Sequence, residues 1–319
     1  MKVFNPAAQQ MTSPQLIALL EKFRVDRGFD TTSYLQKKSA LLNEYFRKSG
    51  LSGVVIGISG GVDSAVALGI IHYASTQPDS PIKKIIPALV PIYDSGTTNQ
   101  DKALSRGREV ASSMGLTTVE VDVTKVHLLM KETVDNAAEM TGDDWASGQL
   151  VSTIRTPAFY YLTSLLNQHG NPALLIGTTN RDEGSYLGFF GKASDGMNDI
   201  QIISDIHKSE VYDLAHALKL PQSVLEAIPT GDMFDARTDE EVFGTSYDFV
   251  ELYENYLCLP TEEQQKIVAG FDKEAADQFT ELSARLEKLH SYNAHKYLVG
   301  LPAIHLDIYT RLVPGGWKY

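Results

Sequence analysis

GVVIGISGGVDSAVALGII, residues 53–71, decides how the rest of the chain reads. The apolar run Val54 to Ile58 leads straight into Ser-Gly-Gly-Val-Asp-Ser, and helix-forming residues take over from there. A strand that breaks into glycines and re-enters as a helix leaves backbone N–H groups facing outward at the helix start, where the helix dipole favours an anion. Gly60 and Gly61 permit the tight turn and the close approach of a phosphate, and Ser59 and Ser64 add hydroxyl donors. The lysine of the GxxxxGK[ST] loop is absent. Asp63 would repel a phosphate unless a cation lies between them, and magnesium, held by one or two carboxylates and by phosphate oxygens, removes that conflict.

Working outward, strands and helices alternate. Strand 54–59 leads to a helix from about Asp63 to Ala74. Strand 84–90 precedes a helix over roughly 98–114, strand 117–122 a helix near 125–140, and a further helix at about 150–168 runs into strand 173–177. Continuous apolar strands separated by helices predict an α/β fold, a parallel sheet covered on both faces. Ligands on such sheets sit at the carboxyl ends of the strands, where loops 59–64 and 178–183 both fall. The region 180–207, rich in Gly, Asp, Asn and Ser, reads as a long loop, functional or disordered. Helices 208–219, 246–257, 261–270 and 273–294 follow, and then a short tail from 298.

Ahead of this unit, Ser13-Pro14 reads as an N-cap with proline at the first helical position, and Leu16, Ile17, Leu19, Leu20 and Phe23 form an apolar stripe. A second helix follows Thr31-Thr32 with Tyr34, Leu35, Leu41, Leu42, Tyr45 and Phe46 inward and Gly50 as its stop. The expected division is therefore an N-terminal helical extension (1–50), the main domain (51–300) and a tail (301–319).

Composition bounds the function. With 43% hydrophobic and 21% charged residues the chain is ordinary for a globular protein. No segment reaches the roughly 18 apolar residues of a membrane span, and MKVFNPAAQQMTSPQ lacks the apolar core of a signal peptide. The single cysteine, Cys258, excludes an internal disulfide framework and a CxxC site. The expected location is the cytoplasm. A net charge of −12 argues against a nucleic-acid platform.

Glu183 lies at the same sheet edge as Asp63 and is a plausible second magnesium ligand, although a lone loop carboxylate is most often merely solvated. Lys192 and Lys208 stand out as cations in and just after a Gly/Asp-rich loop of an acidic chain. Phe189 and Phe190 read as core, and Cys258 as packing.

The string SGGVDS after a strand resembles the PP-loop of the N-type ATP pyrophosphatases, which cleave ATP between the α and β phosphates. That group includes NAD synthetase, GMP synthetase, argininosuccinate synthetase and several tRNA-modifying enzymes, on an adenine nucleotide alpha hydrolase-like fold. IGTTNRDEGSYLGFFGKASDGMND, residues 176–199, is similar to the NAD synthetase stretch that carries GT, Glu, GFF-x-K and a DG pair. SDIHKSEV, IPTGD, FGTSYDFVELY and NAHK then follow in the family's order.

The resemblance covers roughly residues 35–300. It implies an ATP site of Gly57, Ile58, Ser59, Gly60, Gly61, Val62, Asp63 and Ser64 with Thr178, Lys208 and Thr230. It also implies magnesium on Asp63 and Glu183, with Lys208 in a catalytic role beside them, and a dinucleotide site of Arg155, Lys192, Asp199, His295 and Lys296. The activity implied is conversion of nicotinic acid adenine dinucleotide to NAD through an acyl-adenylate, by a homodimer. Where the family carries GN-x-KAR-x-R, this chain has SGQLVSTIRTP and keeps Arg155 alone. About fifty residues precede the loop strand, too few for a glutaminase domain. Free ammonia is thus the expected donor, with a glutaminase acting in trans as the alternative. Two other readings stay open: a PP-loop ligase for a different carboxylate, and a non-catalytic nucleotide-binding relative.

Overall fold

The computed structural model describes residues 10–93, 100–231, 237–296, 304–305 and 308–309. Six strands form one sheet in the order β3-β2-β1-β4-β5-β6, every neighbouring pair parallel. They are β1 (Gly53–Gly57), β2 (Lys84–Leu89), β3 (Val119–Glu120), β4 (Ala173–Gly177), β5 (Ile200–Gln201) and β6 (Ile304–His305). The helices are α1 (Pro14–Arg27), α2 (Thr31–Ser49), α3 (Val62–Thr76), α4 (Gln100–Ser113), α5 (Thr124–Ala138), α6 (Asp144–Gln168), α7 (Lys208–Ala217), α8 (Gln222–Leu225), α9 (Asp239–Phe243), α10 (Tyr247–Leu257), α11 (Thr261–Ala269) and α12 (Lys273–Asn293).

The strands are apolar on both faces because both are covered. Val54 and Ile56 pack with residues of α2, α3, α4 and α7, while Val55, with Ala88 and Leu175, packs under Leu162 and Leu166 of α6. This meets the expected α/β architecture. A second core joins the remaining helices: Leu16, Leu20 and Phe23 of α1 pack with Phe249, Leu252 and Tyr253 of α10 and Phe279, Leu282 and Leu286 of α12. Successive strands run outward from β1 to one side and then jump back to β4 on the other. The carboxyl ends of β1 and β4 therefore flank the point where the strand order reverses, the ligand-binding crevice of such sheets.

Several local expectations change. Ser13 precedes α1 but its side chain caps nothing: the hydroxyl is buried without a partner, and its backbone N–H donates instead to Gln278 Oε1 at 3.0 Å. Ile17 is 43% exposed rather than part of the buried stripe. The cap of α2 is Asp30, whose Oδ1 accepts the Ser33 N–H at 2.7 Å, ahead of the threonines. Helix α6 starts at Asp144, six residues before the expected start at about 150, because Asp143 accepts the Ala146 N–H at 2.9 Å. Pairing in β3 is limited to two residues.

The segment 180–207 is neither a loop throughout nor disordered. It contains a π-helical turn, Glu183–Leu187, and β5, and its apolar residues Ile200, Ile202, Ile203 and Ile206 are fully buried. The start of the helix expected at 98 and most of the tail from 298 fall outside the described residues.

Candidate active site at the carboxyl ends of β1 and β4

After β1 the chain continues as Ile58, whose N–H donates to Ala88 O at 2.9 Å, and then turns through Ser59, Gly60 and Gly61 into α3. Gly60 has φ +80°, and a Cβ there would lie 2.2 Å from the backbone oxygen of Ala103, so both the turn and the approach of α4 require glycine. The loop is cross-braced from within. The Ser64 hydroxyl lies 3.2 Å from both Ser59 N and Ser59 Oγ, and Gly61 N donates to Ser59 Oγ at 3.3 Å. Val62 opens α3, which places Asp63 in its first turn.

From β4 the chain passes through Thr178 to Asn180, whose side-chain nitrogen donates to Asp63 Oδ1 at 2.8 Å and to Glu183 Oε1 at 2.7 Å. Lys208, the first residue of α7, reaches the same two carboxylates, with Nζ 2.5 Å from Asp63 Oδ2 and 3.1 Å from Glu183 Oε1. Asp63, Glu183 and Lys208 thus converge although 145 residues separate the first from the last.

Asn180 had no place in the sequence reading, nor had two further members. The Tyr247 hydroxyl lies 2.9 Å from Glu183 Oε1 and 2.8 Å from Asp239 Oδ2. Asp239 is buried, and its Oδ1 has no hydrogen-bond partner. The FGTSYD motif contains Tyr247, but nothing local tells that its phenol faces Glu183.

Three carboxylates and one ammonium in a buried space leave an excess of negative charge. Burial, followed by the neighbouring Asp63 and Asp239, outweighs Lys208 and pushes Glu183 up to about 8. Burial likewise raises Asp239. Burial alone would lower Lys208, yet Asp63 and Glu183 hold it well above the usual lysine range. The Tyr247 phenol has one proton for two carboxylates, which is consistent with a protonated neighbour in this state. The carboxylate pair fits a magnesium ion held through one or two protein oxygens: the hard oxygens of Asp63 and Glu183 converge on shared nitrogens.

Beneath the cluster a second pair ties its two halves together. Asp182, immediately before Glu183, accepts the Lys208 N–H at 2.7 Å and lies 2.5 Å from Nδ1 of His207, immediately before Lys208. All of this is buried, and burial lowers His207 to about 3 and raises Asp182 to about 7. On α4, Arg106 Nε donates to the Gly60 carbonyl at 2.7 Å.

Of the residues expected to hold a dinucleotide, Lys192, His295 and Lys296 form a separate group, and Arg155 and Asp199 lie apart from it. Lys296 Nζ donates to Gly188 O at 2.7 Å and Phe190 O at 2.6 Å, and exposed Lys192 comes within 3.4 Å of His295 O. His295 is exposed, with Nδ1 3.1 Å from Tyr292 O. One segment links the two groups: the π-helical turn begins with Glu183 and is capped by Gly188. Arg155 Nε donates to Val90 O at 3.0 Å, beyond the end of β2.

Asp199 is drawn into the sheet, its Oδ2 accepting Leu175 N at 2.8 Å and its Oδ1 3.3 Å from the Tyr160 hydroxyl. Thr230 is exposed and forms an antiparallel bridge with Thr238, one residue before Asp239. Phe190 is core, as expected, and Phe189 packs edge-on against Phe243. Cys258 Sγ accepts from Arg181 at 3.4 Å, a packing position.

The NAD synthase family model matches residues 34–299. An NH(3)-dependent NAD(+) synthetase of Alkaliphilus metalliredigens is 30% identical over 272 residues, 82% of this chain and 94% of the relative. Another, of Alkaliphilus oremlandii, is 29% identical over 261 residues, 80% of this chain and 90% of the relative. Among solved structures, an NMN synthetase from Francisella tularensis superposes with a TM-score of 0.66 at 22% identity, covering 86% of this chain and 98% of that one. NAD+ synthetase from Burkholderia pseudomallei gives 0.62 at 21% identity, covering 90% and 98%. With a family model matching residues 34–299 and a relative 30% identical over 82% of its length, this chain belongs to the NAD synthase family.

Proposed function

We propose that this chain amidates nicotinic acid adenine dinucleotide to NAD, with ATP cleaved to AMP and pyrophosphate and ammonia as the nitrogen donor. The observation that carries the reading is the convergence of Asp63, Asn180, Glu183 and Lys208 beside a glycine turn at the carboxyl ends of β1 and β4.

A carboxylate does not react with ammonia directly, because oxide would have to leave. Attack of the pyridine carboxylate on the α phosphorus forms the acyl-adenylate as the bond to the β-phosphate oxygen breaks and pyrophosphate departs. Ammonia then adds at the acyl carbon, AMP leaves with the C–O electron pair, and the nitrogen loses a proton. Two anions meet in the first step, so the protein must neutralise charge that builds there.

The loop Ser59, Gly60, Gly61, Val62, Asp63 and Ser64 receives the departing pyrophosphate on its N–H and hydroxyl groups, and Gly57, Ile58, Thr178, Lys208 and Thr230 complete the ATP site. Magnesium, held by Asp63 and Glu183, supplies charge neutralisation at the phosphate oxygens when bound. Lys192, Asp199, His295, Lys296 and Arg155 are assigned to the dinucleotide.

A homodimer is supported by an apolar surface on α5, where Val126, Leu129 and Val134 are each at least half exposed, close to α6 with Trp145 at 57%. No helix of the described residues is long and apolar enough to cross a membrane, and we assign the enzyme to the cytoplasm. Free ammonia or a glutaminase in trans supplies the nitrogen, and the synthetase unit is assigned to residues 51–300, between an N-terminal extension and a tail.

Incubation with ATP, magnesium, ammonium and nicotinic acid adenine dinucleotide tests this, with NAD, AMP and pyrophosphate followed together. ADP and phosphate in their place would sink the α–β cleavage. The altered α6 sequence, with Arg155 turned to the Val90 carbonyl, favours one second reading, a different pyridine carboxylate as acceptor. AMP formed only with a smaller pyridine carboxylate nucleotide would establish it.

A further inference from the structure

We propose that Arg106 is a positioning residue that fixes the Gly60–Gly61 peptide with its N–H turned inward, ready for the pyrophosphate. The inference rests on the assignment of loop 59–64 to that anion. A Gly-Gly peptide flips more easily than one between residues with side chains, because neither residue has a Cβ to oppose rotation. In a trans peptide the C=O and N–H point in opposite directions, and no peptide among the described residues is cis. One bond to the carbonyl therefore decides where the N–H points.

That bond is present. Arg106 Nε donates to Gly60 O at 2.7 Å from outside the loop, on the face of α4 that also brings Ala103 against Gly60. On the opposite side, Gly61 N faces the Ser59 hydroxyl, inside the turn. Were the peptide to flip, the carbonyl oxygen would face the anion and repel it, and the loop would lose a donor. The loop lacks the lysine of the GxxxxGK[ST] type, and the nearby cation here acts on the backbone rather than on phosphate.

Side-chain topology offers a clean test, because glutamine places its amide nitrogen at the same number of bonds from Cα as the Nε of arginine. Arg106→Gln keeps a neutral donor for the carbonyl, Arg106→Lys keeps the charge, and Arg106→Met keeps neither. Losing one pre-aimed donor at a developing anion costs roughly 10²–10³ in kcat, and an incompletely flipped population costs less. The expected result is a fall of about 10- to 100-fold in kcat for Arg106→Met, with KM for ATP changed by less than about threefold. Arg106→Gln should recover most of the loss, and all variants should keep a near wild-type melting temperature.

Calorimetry with inorganic pyrophosphate and magnesium should show binding to the wild type and to Arg106→Gln, and weakened binding to Arg106→Met. Recovery by lysine but not by glutamine would mean that the charge acts directly, and would overturn the proposal. Unchanged kcat and pyrophosphate binding in Arg106→Met would overturn it too. A wild-type protein that binds no pyrophosphate would remove the loop assignment, and the latch with it.

Discussion

The two glycines of the loop make opposite demands, and substituting each in turn tests the geometry of the site. Gly60→Ala meets two obstacles. Its backbone is left-handed, φ +80°, which costs an L-residue about 1–2 kcal/mol. Its new methyl would also lie 2.2 Å from Ala103 O and 2.9 Å from Ala103 C, backbone atoms of a helix that cannot rotate aside. Overpacking of this kind costs a further 1–3 kcal/mol or so. The sum, about 2–5 kcal/mol, should lower the melting temperature by on the order of 10 °C in a chain of this size.

If the loop moves off α4 instead, stability is kept but the Arg106 bond and the inward N–H are lost, and activity should fall by about 10² or more. Gly61→Ala is the control: φ is −92°, and the new Cβ would meet only Ser59 Oγ at 3.4 Å, so stability should stay within about 0.5 kcal/mol of wild type. Thermal melts and steady-state rates on the two purified variants decide the matter. Wild-type stability and rate in Gly60→Ala, or equal destabilisation by both substitutions, would refute the reasoning.

Four other outcomes follow from the same geometry. Lys208→Met leaves Asp63 and Glu183 facing each other without their cation, so it should abolish turnover and lower metal-free stability by about 3–5 kcal/mol. Magnesium should then raise its melting temperature more than that of the wild type, and an equal response would contradict the shared site. Burial lowers Lys296 to about 8 from an ordinary 10.5, so between pH 8 and 10.5 the unfolded chain holds a proton that the folded one has shed. Wild-type stability relative to Lys296→Met should therefore rise with pH across that window, whereas KM for the dinucleotide should climb above pH 8; denaturant titrations and initial rates at stepped pH check both signs. Lys38→Met strips the buried Asp205 of its 2.9 Å partner. It should cost roughly 3–5 kcal/mol and speed proteolysis near 308–309, whose backbone N–H groups also bind Asp205. Leu129→Glu with Val134→Glu on the exposed face of α5 should yield monomers by sedimentation, and a persisting dimer would move the interface elsewhere.

How far this site could be read from residues alone follows from how each part is built. The sheet was legible because Val54, Val55 and Ile56 are all buried, so the strand is apolar without alternation, and because the glycine turn is contiguous in the chain. β5 was not legible: two residues, Ile200 and Gln201, carry no period, and the surrounding Gly, Asp and Asn read as loop until the packing of Ile202, Ile203 and Ile206 is seen. The family motifs named Asp63, Glu183 and Lys208 as residues, but what those groups do depends on neighbours that no motif placed. Asn180 sets the two carboxylates on a common donor, Asp239 and Tyr247 add negative charge and a single proton, and Asp182 with His207 locks the chain segments that carry Glu183 and Lys208 into register.

Each of those effects is a juxtaposition across tens of residues. Asp182 and His207 show why this matters: they precede Glu183 and Lys208 directly, yet in sequence they look like ordinary polar neighbours. Only when their side chains meet at 2.5 Å, both fully buried, does it become physical that the segments carrying Glu183 and Lys208 are tied together. A substitution at either of these hidden partners should therefore resemble a lesion at Glu183 or Lys208 beside it more than a generic loss of stability.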